Sequence, residues 1–419
     1  MAGPALLAKL GESLLRVAEA NRVPLESGCR MGFCGADPVL ILAGEDNLSP
    51  PSAAERATLR RLGLPPGCRM ACAARVRGPV TVAPGIDAEA VRAPAMAESA
   101  AAAVGVPDDV RRLVIIGNGV AGVTAAVELR ERHPEAEITI LGAEPYDFYN
   151  RMIINKLVNE STAIGQLYLM PRQWAEGRRI RHLRGVAARA IDRARREVTT
   201  QDGEALPYDR LLLATGAECF VPPIDGFGLP GSFVMRTIDD AVRLQQHIRH
   251  RRCRTAVVVG GGLLGLEAAS SISELDVRVV VLDLARWPLP RQLDQPAGAL
   301  LWQMMSDLGI AILPQAQARR VLGIDWVEGV ELADGQRLNA DLCLVATGIK
   351  PSVALAESAG LAVDGGVVVD DRMMTSDARI FAAGDVAAQE GRVNGLWPVN
   401  RDVSRALPAL ERGDWSVLA

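Results

Sequence analysis

LVIIGNGVAGVTAAVELRER, residues 113–132, reads as a short apolar strand, a glycine turn and a helix. A run of apolar residues bounded by glycine suits a strand covered on both faces. Gly117, Gly119 and Gly122 then spell GxGxxG. In that pattern the first glycine makes the tight turn and the second lets the backbone approach a pyrophosphate. The third brings helix and strand close, and Ala121 and Ala126 keep the contact surface small. The helix start supplies unpaired N–H groups and a partial positive charge for phosphate. An acid is expected about 20 residues on, against a ribose hydroxyl. Glu144, at the end of EITILGAE, fills that place.

The pattern returns in TAVVVGGGLLGLEAASSI, residues 255–272, with Gly260, Gly262 and Gly265. Its next strand, VRVVVLD, ends at Asp283. A carboxylate there bonds the ribose 2′-hydroxyl and repels a 2′-phosphate, which favours NAD(H) over NADP(H). The nearby Arg286 tempers that preference. Each site is followed by an ATG tripeptide, ending at Gly216 after Thr215 and at Gly348 after Thr347. Apolar runs alternate with helical stretches throughout: RRLVIIG, EITILGAE, YDRLLLATG, RTAVVVGGG, VRVVVLD and ADLCLVATG. Such alternation implies βαβ units and parallel sheets. The expectation is an α/β fold with two Rossmann-like dinucleotide-binding domains, one inserted in the other, the first for FAD and the second for NAD(H).

At 419 residues and 49% hydrophobic content, the chain can bury more than one core. Its formal net charge of -4 argues against nucleic acid or an anionic membrane as the main partner. The first twenty residues lack a signal-peptide pattern. No apolar run approaches the roughly 20 residues a spanning helix needs. A soluble, cytoplasmic protein is expected. Four of the seven cysteines fall in the first 72 residues, a clustering that favours metal over disulfide in a reducing compartment. The expected segments are 1–82, a linker at 83–110, an FAD-binding part at 111–236, an NAD-binding part at 237–349, and a second FAD-binding part at 350–419.

From residue 111 onward the chain resembles the two-dinucleotide-domain flavoproteins, nearest to rubredoxin and ferredoxin NAD reductases and the flavin part of NADH nitrite reductases. The carrying motifs are GNGVAG, EPYDFYNRMIINK (144–156), LLLATG (211–216), GGGLLGLEAA (260–269), LVATGIKP (344–351), TSDARIFAAGDVA (375–387) and GLWPV (395–399). The resemblance implies that Asp385 binds the ribityl chain or pyrophosphate of FAD, and that Arg151 and Lys156 lie beside the isoalloxazine. It implies that Ala188 meets the adenine through its backbone, that Glu267 reaches the nicotinamide, and that Trp397 sits near the flavin. Lys156 and Glu267 are the expected catalytic residues. Disulfide reductases of this fold carry a redox-active cysteine pair. Here Cys219, Cys253 and Cys343 are solitary, each read as a small buried apolar residue. The flavin therefore needs another electron acceptor.

The N-terminal block supplies a candidate. GCRMGFCGAD and the later CRMACAARVRGPVTV resemble plant-type and adrenodoxin-like [2Fe–2S] ferredoxins, which fold as a β-grasp with C-x4-C-x2-C and a distant fourth cysteine. The match implies Cys29, Cys34 and Cys72 as ligands, with Asp37 where the third cysteine of the spacing belongs. Three readings stay open: Asp37 as an oxygen ligand, Cys68 as a substitute thiolate, or a lost cluster. An aspartate ligand is a harder donor and is expected to lower the reduction potential. Pro38 has no N–H to offer the cluster, which acts in the same direction. The segment before GESLLRVAEAN is short for the usual opening hairpin, so a small, trimmed β-grasp ferredoxin-like domain is expected.

Relatives continue into a C-terminal interface domain that is expected here to be missing or vestigial, its place taken in part by the ferredoxin block. The expected activity is NADH-dependent electron transfer between NAD(H), FAD, the cluster and an external electron carrier or terminal reductase, in that direction or the reverse. The alternatives are an electron-supply component of a nitrite reductase or oxidase, and a redox-, iron- or oxygen-sensing adaptor without turnover.

Overall fold

All six apolar runs are strands in a computed structural model: Arg112–Ile116, Glu137–Gly142, Arg210–Leu213, Thr255–Val259, Arg278–Asp283 and Leu342–Val345. The structure describes residues 5–23, 25, 37–62, 64–84, 111–171 and 173–393. The chain divides into two units. The first comprises 1–150, 168–216 and 351–419, the second 151–167 and 217–350.

The first unit is built on a five-stranded parallel sheet, in spatial order Ile380–Ala382, Arg210–Leu213, Arg112–Ile116, Glu137–Gly142, Ile180–Arg184. Side chains alternate between its two faces as strand geometry requires. Leu113, Ile115, Ile138, Ile140 and Leu212 pack towards the helix Val120–Arg132, against Val123, Ala125 and Ala126. Val114, Ile116, Leu141, Leu211 and Leu213 face Ile191, Val198, Leu206 and Tyr208. These come from or flank a small antiparallel sheet of Ala188–Asp192, Glu197–Thr200 and Ala205–Pro207. Cover on both faces explains why the strands read as unbroken apolar runs.

The second unit repeats the plan with the order Ser232–Val234, Leu342–Val345, Thr255–Val259, Arg278–Asp283, Ile310–Pro314, all parallel. The helix Leu263–Ser273 follows its first glycine turn. Val257, Val259, Leu282, Cys343 and Val345 pack with Val321, Val330 and Leu332 of another small antiparallel sheet. This unit begins at Ala217 rather than at the expected 237 and takes in residues 151–167. That segment packs on the helices Ile238–Arg251 and Leu263–Ser273, so its long-range partners decide its membership.

In the N-terminal block, the strands Cys68–Met70, Pro38–Ala43 and Thr81–Pro84 form an antiparallel sheet in that order. The helices Leu14–Ala20 and Ala53–Arg61 are capped by Ser13 and Ser52. Glu55 and Arg69 form a buried ion pair, with side chains 1% and 3% exposed. Burying two charges is costly unless their hydrogen bonds are met. Here Arg69 meets both carboxylate oxygens of Glu55 at 2.8 and 3.1 Å, and Glu55 also accepts the Met70 N–H at 3.0 Å. Of the expected linker, residues 85–110 lie outside the described residues. No helix among the described residues is long and apolar enough to cross a membrane.

Candidate functional site

The first GxGxxG turn is held by contacts that only glycine permits. Gly117 has φ +125°, and a methyl group there would lie 2.0 Å from the Ala214 carbonyl oxygen. A methyl at Gly122 would lie 1.9 Å from the Gly117 carbonyl. At Gly119 no described atom comes within 4 Å of the same point, so this glycine faces open space. Ser52, Thr237 and Asp294 cap their helices through side chains, whereas the helix starting at Val120 has no side-chain cap. Its first N–H groups are thus available for an anion.

Parallel strands deliver the remaining groups at their carboxyl ends, where open α/β sheets bind ligands. Glu144 follows Glu137–Gly142 and accepts the Tyr149 hydroxyl on Oε2 at 2.6 Å. Thr215 follows Arg210–Leu213 and donates to the Ser352 carbonyl at 3.0 Å, beside Gly216 at φ +69°. Asp385 follows Ile380–Ala382. A methyl at its neighbour Gly384 would lie 3.1 Å from the Ala121 Cβ, which sets the aspartate near the start of the helix. Ala188 opens the strand of the small antiparallel sheet and is half-buried. Trp397 lies outside the described residues. The sequence reading missed Asn118, which donates to the Tyr146 carbonyl at 3.0 Å and whose Oδ1 is buried with no partner among the described residues.

The second cradle has the same parts. Gly260, at φ +112°, lies against the Ala346 carbonyl, and a methyl at Gly265 would be 1.9 Å from the Gly260 carbonyl. Gly262 faces open space as Gly119 does, at the start of another helix without a side-chain cap. Asp283 Oδ1 accepts the Ala285 N–H at 2.9 Å. A methyl at Gly261 would lie 2.1 Å from Asp283 Oδ2, so a side chain there would displace the Asp283 carboxylate. Gly348, at φ +118°, accepts the Phe220 N–H at 2.9 Å and has nothing described within 4 Å of its missing Cβ. Both cradles thus fit a dinucleotide: a tight turn, an open central glycine, free helix N–H groups and an acid.

Arg151, Lys156 and Glu267 all belong to the second unit. Arg151 donates to the Arg236 carbonyl at 2.7 Å. Glu267 keeps solvent access, yet partial desolvation of its carboxyl raises its pKa, with the Lys156 charge opposing that shift. Among the described residues no pair of cysteines lies beside the first cradle. Cys343 is fully buried, with its thiol pushed up to about 12 by burial, and Cys253 is buried and pushed up to about 11. Cys219 departs from the expectation, being only half-buried.

In the N-terminal block the antiparallel register sets Pro38 opposite Met70, which brings Asp37 to the Cys72 turn. The Asp37 carbonyl accepts the Ala71 N–H at 2.9 Å, and Oδ2 accepts the Cys72 N–H at 2.5 Å. Asp37 is 1% exposed, and its Oδ1 has no hydrogen-bond partner among the described residues. Burial raises its pKa, and the bonds from Cys72 oppose the rise. Cys68 pairs with Leu40, three residues further along the strand. Among the described residues no group of three metal-ligating side chains converges. Cys29 and Cys34 lie outside the described residues.

Two Rossmann-type cradles, one on each parallel sheet, define a two-dinucleotide oxidoreductase. Residues 111–407 match the model of the pyridine nucleotide-disulphide oxidoreductases, and the chain belongs to that family. It is 35% identical over 295 residues to the biphenyl dioxygenase system ferredoxin–NAD(+) reductase component of Paraburkholderia xenovorans (strain LB400), covering 70% of each chain. It is 37% identical over 287 residues to a nitrite reductase [NAD(P)H] of Bacillus subtilis (strain 168), covering 68% of this chain and 35% of that protein. The chain thus spans about a third of the nitrite reductase it matches. Among solved structures, the covalent putidaredoxin reductase–putidaredoxin complex aligns with TM-score 0.66 and 30% identity, over 72% of this chain and 75% of that one.

Proposed function

We propose that this protein passes electrons from NADH through FAD to a [2Fe–2S] cluster in its own N-terminal block, and from there to an external electron carrier or terminal reductase. Gly117, Gly119, Ala121, Gly122, Glu144, Ala188, Thr215, Gly216, Asp385 and Trp397 would hold FAD. Gly260, Gly262, Gly265, Asp283 and Gly348 would hold NAD(H). Arg151 and Lys156 would stabilise negative charge on the reduced flavin, and Glu267 would contact the nicotinamide. FAD, when bound, takes a hydride from NADH and releases its two electrons singly, which suits a one-electron centre. The one proton that arrives as part of the hydride returns to solvent on reoxidation.

The observation that carries the cluster reading is the corner where Asp37 meets Cys72, with the buried Oδ1 lacking a partner among the described residues. An unpaired buried carboxylate oxygen is costly and suits a cationic neighbour such as iron. Register favours Asp37 over Cys68 as the fourth ligand. Cys68 sits three residues along the strand, about 10 Å away at roughly 3.3 Å per residue. The test is EPR and potential titration of anaerobically purified protein. Asp37→Cys should change the g-tensor and raise the potential, while Cys68→Ser should leave both unchanged. A signal lost in Cys68→Ser but intact in Asp37→Ser would sink the assignment.

A second reading is an electron-supply component for nitrite reduction, favoured by the 37% identity to the nitrite reductase. NADH turnover supported by a partner holding a nitrite-reducing centre, and not by a ferredoxin-type carrier, would select it.

A further inference from the structure

The segment 151–167 carries two groups expected beside the flavin, yet it is fastened by polar bonds to the nucleotide-binding unit. Glu267, Ser271 and Glu274 lie at i, i+4 and i+7, on one face of the helix that ends at Ser273 with Glu274 as its C-cap. Lys156 acts electrostatically on Glu267. Asn155 Nδ2 donates to Ser271 Oγ at 3.2 Å, and Asn159 Nδ2 donates to Glu274 Oε2 at 2.7 Å. On the other helix, Gln245 and Arg249 stand four residues apart and both grip Glu160. Gln245 Nε2 donates to Oε1 at 2.5 Å, and Arg249 donates to Oε2. Glu160 itself is held at φ +57°, a left-handed conformation that is strained for a non-glycine residue. Strain of this kind persists only where surrounding contacts over-determine it.

From this clamp we infer that Asn155, Asn159 and Glu160 are positioning residues that hold Lys156 opposite Glu267, so that cation and carboxylate form one preset pair within the nucleotide-binding unit. The inference rests on the proposed role of Lys156 at the reduced flavin. The clamp residues contact neither cofactor nor substrate in this account. They fix the backbone on either side of Lys156, while Ile154 and Val158 bury the apolar side of the same turn. A lysine held only by its own flexible stem would sample many positions. Two flanking anchors fix the backbone from which that stem extends, which narrows the positions the cation can reach, and orientation of this kind can carry large rate factors.

The test uses the FAD-loaded full chain and follows flavin reduction by NADH in rapid mixing, with melting temperature alongside. Asn159→Leu combined with Glu160→Leu should slow flavin reduction at saturating NADH about 10-fold, with the half-saturating NADH concentration within about twofold. Glu160→Gln, which keeps an acceptor for Arg249, should recover most of the rate. Ser271→Ala removes only the Asn155 acceptor and spares folding; it should slow the step about threefold. In a Lys156→Met background the same changes should add less than about twofold, because the cation they position is gone. Equal factors in both backgrounds overturn the clamp and leave the reading of Lys156 standing. A Lys156→Met protein that reduces its flavin at the wild-type rate overturns that reading, and the clamp with it.

Discussion

Asp209 grips Arg112 twice. Its Oδ2 accepts the Arg112 backbone N–H at 2.8 Å, and its Oδ1 accepts the guanidinium at 2.9 Å. The Arg111 N–H joins at 2.9 Å. In the second unit Asp341 does the same for the strand Thr255–Val259, accepting the Arg254 and Thr255 N–H groups at 2.7 and 2.9 Å and the Thr255 hydroxyl at 3.0 Å. Each aspartate precedes the strand that leads into an ATG turn, and each ties the amino end of the neighbouring strand that leads into GxGxxG.

These staples make a pH prediction. Burial opposes ionisation of Asp209, but the bonds from Arg112 and Arg111 outweigh it and hold the carboxyl below its usual range. A depressed folded-state pKa contributes stability that is present above the ordinary carboxylate value and lost as pH falls through the folded one. Asp209→Asn should therefore destabilise the first unit by about 1–3 kcal/mol at neutral pH, the gap to wild type narrowing below about pH 4. Thermal unfolding across pH checks this, and a gap that stays constant down to pH 3 would contradict it. Asp341 is exposed, so Asp341→Asn should cost less.

Glycine substitutions separate cofactor binding from folding. Gly119→Ala meets no described protein atom and keeps an allowed extended backbone, so the apoprotein should melt normally while FAD content falls at least tenfold. Gly122→Ala drives a methyl into the Gly117 carbonyl and should cost about 3 kcal/mol or more whether or not FAD is present. Flavin absorbance per protein, beside calorimetry of the apoprotein, distinguishes the two. Matching behaviour in both variants would be the wrong outcome.

Nucleotide choice should hinge on Asp283. Asp283→Ala should lower the kcat/KM ratio of NADH to NADPH by about tenfold or more. Gly262→Ala should raise KM for NADH while FAD content stays at the wild-type level. Steady-state assays with ferricyanide as acceptor read both. A ratio unmoved by Asp283→Ala would place selectivity elsewhere.

Thiol chemistry should prove dispensable in the flavoprotein part. Burial keeps Cys253 and Cys343 protonated at neutral pH, with values of about 11 and about 12. Cys219→Ala and Cys253→Ala together should leave NADH–ferricyanide turnover within about twofold of wild type. A loss above tenfold would point instead to a sulfur relay of the kind that disulfide reductases of this fold use.

What the sequence made legible follows from locality. Strand, glycine turn and helix sit within twenty residues of one another, so both cradles and all six central strands could be read directly. Ile180–Arg184 and Ile380–Ala382 were not read as strands, because they join the sheet through partners distant in sequence. Asp209 and Asp341 carry no periodic signal at all; their role exists only once a neighbouring strand presents its N–H groups. Asn118 and Gly261, each between two glycines of a motif, carry no signal of their own in the pattern; their contacts with Gly142 and Asp283 exist only once the next strand lies alongside. Membership of 151–167 was hidden for the same reason, since FYNRMIINK reads as continuous with the strand and acid before it.

That last feature constrains how the protein can be recombined. A chimera that exchanged only 217–350 for the matching stretch of a relative would pair foreign helices with the native 151–167, mismatching Asn155, Asn159 and Glu160 against new partners. Grafting nucleotide preference from one reductase to another should therefore move two separate pieces of gene together, the short early one and the long later one, as a single exchangeable cassette.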